Sequence, residues 1–514
     1  MRTKFAIALA IAAVCATAAW AAWTPESKIT GDGSSDRQLH PSNGHKLVFG
    51  PDGVGHLIWW RYLPLNAPSA GVYCNRYNPS SGWTPDYQLS QAGEYPSIAL
   101  DADGTTIHAV WFNATPCYRR CVRNEYGEDV WGEVMPLCQD REAYGPVVAC
   151  VPNEPGHVVI SYKEEFGSKK GLRFAIGLLE CVGGVWQTPI RLDSGVSGAS
   201  GYPSIAVAPN GDLFIAYHGK VGVSPAHIYV KTRRNGVWQP TQDATPGLTG
   251  YASGGFPVEA NPYTGHPHVV FNAYKVTKIS KKVSDTTSAV LHTYRNSSGV
   301  WQVPETVSVP GHRGSFVERE FRHPTMAFVD DGSAYVTWAE TYRVGRHGVM
   351  FSYCPGEGLN WSTPEWLTPD PDASYGDENP FVTVDESADS VRAAWTRTIP
   401  SINTEPIEIW WRSGSLGSGG GGMGRPVAPA RAGVELFPNP TKAGRVTVQY
   451  ALPHAGPVTV TLLDISGRTV RTQEVAADRS GSARIDVSGL TAGVYVARLV
   501  AGDLSISKSL VVEH

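Results

Sequence analysis

Five residues of this chain have types that could do chemistry together: Arg61, Arg322, Arg397, Glu340 and Tyr342. A glycosidase uses paired carboxylates, or a tyrosine–glutamate pair with arginines holding the substrate carboxylate. These five could supply the second set, on an acidic sugar. No short motif concentrates them, and charged residues on loops are the ordinary case. The sequence therefore assigns no catalytic residue. Tyr62, Lys163, His218, Lys275, His323 and Arg343 fall at matching places of a repeat and are expected to share a ligand-binding face with them. The loops after the second strand of each repeat are net basic there, with Lys275, Lys278, Lys281 and Lys282 in one. Acids such as Glu318, Glu320, Asp377 and Glu378 precede the first strands, and Asp52, Asp101, Asp103, Asp212, Asp330, Asp331 and Asp385 dominate the opposite turns.

Other metal-ligating types are expected to be structural. His56, His108, His157 and His268 occupy one repeated position, one per repeat, so a ring would hold them too far apart to share an ion. Asp101 to Gly104 reads as a plain turn, lacking further calcium ligands at loop spacing. Cys117 and Cys121 have no partner pair at metal-ligand spacing. Neither a metal nor another cofactor is expected.

The elements that must position these residues come from an internal repeat. Seven times between His45 and Trp395 a short apolar strand, an Asp-Gly-like turn and a second apolar strand recur. Tyr95-Pro96-Ser97-Ile98-Ala99 and Tyr202-Pro203-Ser204-Ile205-Ala206 are the clearest copies, and looser ones start at Pro146, Pro257, Pro324 and Pro380. From His45 onward the anchors are 51, 50, 57, 54, 67 and 56 residues apart, a period that suits one four-stranded propeller blade. Ala99, Ala149, Ala206, Ala260 and Ala327 recur on the first strand, as strands converging on an axis require. Trp83, Trp131, Trp186, Trp238, Trp301 and Trp361 follow the third strand and fit the wide outer rim. The seventh repeat lacks this tryptophan. Trp23-Thr24-Pro25 resembles Trp83-Thr84-Pro85, so the N-terminal segment is expected to supply the missing strand and close a seven-bladed ring. The expected fold is all-β, a seven-bladed β-propeller followed by a small Ig-like β-sandwich.

Composition agrees with many short strands: 55 glycines and 38 prolines mark frequent turns, and charged residues are only 18%. Arg2 and Lys4, the apolar run Phe5 to Val14, and Ala19-Trp20-Ala21 read as a signal peptide over residues 1–21. Its removal takes the net charge from −4 to −6, and nothing suggests nucleic acid as a partner. No segment is long enough to span a membrane. The mature chain keeps Cys74, Cys117, Cys121, Cys138, Cys150, Cys181 and Cys354, an odd number, so at least one thiol stays free and no pairing follows from the sequence. A propeller is expected over residues 22–412, a Gly/Pro/Ala-rich linker over 413–433 and a second domain over 434–514. The chain is expected to act as a monomer.

The second domain shows alternating strands at Arg445 to Tyr450, Val458 to Leu463, Ala483 to Val487, Val494 to Leu499 and Ser505 to Val512. Phe437-Pro438-Asn439-Pro440, then Val460 to Arg468 with Gly467, then Leu490 to Tyr495 with Gly493, resembles the type A sorting domain of the type IX secretion system. That resemblance implies the secretion machinery as a partner and a destination outside the cell or on its surface. The blades loosely resemble the sialidase-like, BNR-repeat propellers across residues 23 to 412. The catalytic signature is not part of the likeness: Asn296 to Trp301 lacks the aspartate of the family's turn motif. The expectation is an exported, non-catalytic module for a glycan or protein ligand. The alternative is a sialidase-like hydrolase or polysaccharide lyase acting on an acidic saccharide.

Overall fold

The computed structural model describes residues 23–29, 37–39, 43–61, 70–167, 173–192, 197–220, 226–248, 250–253, 255–278, 284–308, 321–341, 347–355, 361–368, 376–399, 407–416, 433–437, 441, 445–451, 458–475, 480–501 and 504–513. The expected signal peptide, Tyr62, Tyr342, Arg343, Pro438, Asn439 and Pro440 lie outside them, as do the side chains of Lys275 and Arg322. Among the described residues the chain is all-β, and Trp23–Ser415 forms one compact unit with seven antiparallel sheets.

Each sheet is built from consecutive strands, because each repeat pairs its own apolar runs through tight turns. The second sheet is typical: Glu94–Leu100, Ile107–Asn113, Thr115–Arg123 and Asp129–Trp131 pair in order. The seventh sheet differs. Gly376–Asp385, Ser390–Thr398 and Ile407–Ser415 pair in order, and Ser27–Lys28 adds the outer strand, with Ser27 opposite Trp411 and Lys28 opposite Trp410. Trp23 bridges Gly414, Thr24 N–H donates to the Ser413 carbonyl at 2.7 Å, and Lys28 pairs with Glu408. The strand therefore runs through Ser415, past the expected start of the linker at residue 413.

The tryptophans have one job. Trp83 packs on the cluster joining the seventh and first sheets, 5.4 Å from Trp411. Trp131, Trp186, Trp238, Trp301 and Trp361 pack in turn between their own sheet and the preceding one. Trp23 does the same for the seventh sheet, edge-on to Phe351 of the sixth at 5.1 Å. Each ring brings a large apolar area to a sheet-to-sheet seam. The acids of the turns between first and second strands are largely compensated: Asp212 meets Arg234 at 3.0 Å and Asp385 meets Arg392 at 2.8 Å. The seven cysteines among the described residues are free thiols.

The C-terminal unit contains two sheets. Gly433–Phe437, Arg445–Ala451 and Ser480–Asp486 form one; Thr469–Val475, Val458–Leu463, Gly493–Ala501 and Leu504–Val512 form the other. Val446, Val448, Val460, Leu462, Leu499 and Leu510 are the buried centre between them. Gly467 sits at positive φ in the turn Asp464–Arg468, where Asp464 accepts from the Ser466 and Arg468 N–H groups at 3.0 Å. Gly493 opens a strand, and buried Tyr495 donates its hydroxyl to the Thr491 carbonyl at 2.8 Å.

Candidate functional site

The site begins with the prolines of the first strands. Proline has no N–H for the ladder, so pairing breaks beside it. Register shifts occur between Glu94 and Ser97, Tyr144 and Val147, Ser200 and Ser204, Arg322 and Thr325, and Glu378 and Phe381. The residue before the proline is left-handed at Tyr95 (φ 56°), Gly145 (52°), His323 (50°) and Asn379 (51°). Such a conformation costs a non-glycine residue about 1–3 kcal/mol and persists only where the surroundings enforce it. The hydroxyl after the proline does part of the enforcing. Ser97 accepts from Val148 N–H at 3.3 Å, Ser204 from Val258 at 2.9 Å and Thr325 from Val382 at 3.1 Å. Each bond ties one sheet to the next.

The bulges gather aromatic rings at one end of the unit. Tyr202 donates its hydroxyl to Tyr95 at 2.9 Å, with ring centroids 4.5 Å apart. Phe112 lies 6.5 Å from Tyr95 and 5.0 Å from Tyr144. Lys163 stands over Phe174 at 4.1 Å and 6.0 Å from the Tyr202 ring, and pairs with Glu165 at 3.3 Å. All these rings are half-buried, so each keeps an accessible part. Burial, then the bond and charge of Tyr202, push the Tyr95 hydroxyl well above the usual tyrosine range, so it is a proton-bearing group and not a base.

A short segment, residues 43–46, runs beside them. Asn43 donates to the Tyr202 carbonyl at 2.6 Å and accepts from Phe256 N–H at 3.0 Å. A Cβ on Gly44 would fall 2.4 Å from Ser97 Oγ, so only glycine fits between the second and third sheets. Lys46, 2% exposed, donates to the carbonyls of Gly44 and Pro96 at 2.8 and 2.7 Å, and burial pulls its ammonium down to about 7. His45 bonds Glu259 of the fifth sheet at 2.7 Å. Beyond it a cavity of about 280 Å3 is lined by Ala99, Ala149, Ala206 and Ala260, the small residues expected at an axis.

Burial lowers the His45 pKa, but the charge and hydrogen bond of Glu259 outweigh it against Lys46, and the net shift is upward from 6.5. The stability this pair contributes is full below the unfolded value and lost as pH rises through the folded one. Thermal midpoints of wild type and Glu259→Gln are expected to differ by roughly 2–4 °C at pH 6 and to converge at higher pH. Lys46 titrates in both proteins, so the difference isolates the pair. A gap that does not narrow would refute the assignment.

The expected site residues of the N-terminal unit that are described lie in strands and not in loops. Arg61, Lys163, His218, Lys275, Glu340 and Arg397 all belong to second strands, and His323 to a first strand. Each described arginine among them faces carboxylates of the protein itself. Arg397, 4% exposed, donates to Asp377 at 2.6 and 2.9 Å and to Glu26 at 2.9 Å twice. Arg61 lies over Tyr73 at 5.0 Å, with Asp86 at 3.8 Å. Glu340 is 2% exposed. His218 stacks on Phe256 at 5.1 Å, and His323 lines a small pocket with Asn379, His45 and Lys46. The repeated histidines are structural pairs: His56 with Asp129 at 2.7 Å, His157 with Glu154 at 2.7 Å, His268 with His292 at 3.0 Å. Sequence reasoning placed Lys163 on this face but did not single out Tyr202, Phe112 or the 43–46 segment. The Tyr-Pro-Ser repeat was the available signal for Tyr202.

The order of strands, the Asp464–Arg468 turn and the packed Tyr495 bear on the C-terminal unit's kinship. Residues 435–513 match the secretion system C-terminal sorting domain. This domain directs type IX secretion, so the protein is secreted or held at the surface of a Bacteroidetes-type bacterium, with the secretion machinery as its partner. Among the described residues no helix is long and apolar enough to cross a membrane. No curated protein matches the sequence. Among solved structures, an ulvan lyase bound to GlcA(1-4)Rha3S is similar in fold, with TM-score 0.50 and 13% identity over 75% of this chain and 95% of that one. A protein of unknown function from Dyadobacter fermentans gives 0.45 and 11% over 76% and 97%. A Penicillium chrysogenum arabinanase gives 0.33 and 11% over 67% and 94%.

Proposed function

We propose that the N-terminal unit is a seven-bladed β-propeller, closed by its own N-terminal strand, that holds a glycan at the cell surface without turning it over. The domain plan is a signal peptide, this propeller, a Gly/Pro/Ala-rich linker and the sorting domain. The repeated tryptophan seam, completed by Trp23, supports the ring. One observation carries the binding reading: half-buried Tyr95, Tyr202, Phe112 and Tyr144 crowd one end of the unit beside Lys163. Aromatic faces stack on the apolar faces of sugar rings, and a lysine adds a donor for hydroxyl or acid groups. A second fact argues against turnover. Arg397, which an acidic-sugar enzyme would need free, is held by two carboxylates of the protein itself.

The test is a glycan array on the mature chain, followed by turnover assays on every hit. Tyr202→Ala is expected to weaken binding at least tenfold, about 1.4 kcal/mol or more, as truncating a central aromatic anchor does. Its thermal midpoint serves as the folding control. New reducing ends or unsaturated products from a bound glycan would favour the hydrolase or lyase alternative. Undiminished binding by Tyr202→Ala would move the site elsewhere.

A further inference from the structure

We propose that Asp101, His108 and Cys150 form a binding site for a thiophilic divalent cation of the zinc class. One ligand atom from each lies within 4.8 Å of the others. Asp101 directly follows the first strand of the second sheet, His108 sits on that sheet's second strand, and Cys150 ends the first strand of the third sheet. The site therefore spans a seam, which explains why the repeated histidine position alone did not suggest it. His56, His157 and His268 meet carboxylates or another histidine; His108 alone of this set faces a carboxylate and a thiol together.

The surroundings fit a metal centre. Carboxylate, imidazole and thiolate are the donor set of zinc, and three protein ligands leave a fourth position for water or a small ligand. Cys150 also lines the cavity of about 280 Å3, so the cluster lies beside open space. Asp101 accepts from the N–H groups of Ala102 at 2.6 Å and Gly156 at 2.9 Å, which fix its carboxylate in place. His108 Nδ1 lies 2.7 Å from the Tyr118 hydroxyl, an outer partner of the kind that orients metal-bound histidines.

The protons balance. Without metal, His108 Nε2–H donates to Asp101 at 3.1 Å and Nδ1 accepts from Tyr118. On binding, the Nε2 lone pair and the Cys150 sulfur turn to the ion. The imidazole proton moves to Nδ1 and is donated to Tyr118, whose hydroxyl rotates from donor to acceptor. The thiol proton leaves to solvent, one per ion, so affinity rises with pH.

The test uses the full mature chain, stripped with a chelator and titrated with Co2+, which Zn2+ should then displace. One equivalent is expected to produce thiolate-to-cobalt charge transfer in the near ultraviolet with tetrahedral visible bands. Cys150→Ser should abolish the charge transfer, and His108→Gln should weaken binding at least tenfold. The other cysteines make the Cys150→Ser arm decisive: a surviving band would overturn the proposal, as would no binding at micromolar metal. Should that variant misfold, X-ray absorption of the zinc-loaded wild type decides instead. One sulfur with at least one imidazole supports the site, and any other set of donors overturns it.

Discussion

Arg397→Met is expected to lower the stability of the N-terminal unit by about 3–5 kcal/mol, the usual consequence of removing one partner from a buried ion cluster. The guanidinium holds Asp377 and Glu26 together and lies 4.6 Å over the Trp410 ring. Glu26 belongs to the N-terminal segment and Asp377 to the first strand of the seventh sheet, so one side chain fastens both edges. Asp377 is 1% exposed, and burial pushes its carboxyl up to about 6 against the pull of Arg397. A carboxyl raised in the folded state makes stability fall as pH rises from its unfolded value near 3.8 through its folded value. Without Arg397 that fall extends to higher pH. The deficit of the variant, measured by urea unfolding, should therefore be larger at pH 7.5 than at pH 5. Asp377→Asn in the same background should recover part of it. Arg397→Lys should not rescue fully, because an ammonium cannot fork to two carboxylates. A stable variant with lost ligand binding would instead return Arg397 to the role of substrate clamp.

Leu462→Asp is expected to abolish surface display while leaving the N-terminal unit folded. Leu462 is fully buried among Val460, Leu499 and Leu510 in the C-terminal unit. Losing a core leucine costs about 2–5 kcal/mol, and a buried unpaired carboxylate adds to that. A domain of this size has only about 4–12 kcal/mol of stability to lose. The unfolded sorting domain would not be read by the secretion machinery, and the protein should accumulate in the periplasm. Protease shaving of whole cells with immunoblots of each fraction measures the outcome. Wild-type display of the variant would show that recognition needs only linear sequence.

The strand pairs were legible in the sequence because they are local. Tyr95 to Ala99 and His108 to Trp111 alternate across a short turn, and their pairing follows from period alone. The seam tryptophans were legible for the same reason, and Trp23 betrayed its place by resembling Trp83. Thr469–Val475 escaped because only Val470 and Val475 are apolar, which leaves no alternation to read. The site was less legible. Asn43 finds Tyr202 and Phe256 at separations of 159 and 213 residues, and no period predicts such a meeting. Arg397 looked like a loop charge because its partners lie 20 and 371 positions away. Cys150 carried no signal at all until the third sheet was laid against the second.

The outer strand at residues 27 and 28 also governs when the fold can form. Its partners, Trp410 and Trp411, are among the last residues of the unit to be synthesised, and Lys28 waits 380 positions for Glu408. A polypeptide emerging from its N-terminus cannot complete this unit until almost all of the unit has emerged. Contacts of such sequence separation make folding slow. Until then the seventh sheet keeps an unpaired margin, and a prematurely ended chain would keep it for good, an open edge of the kind that invites aggregation.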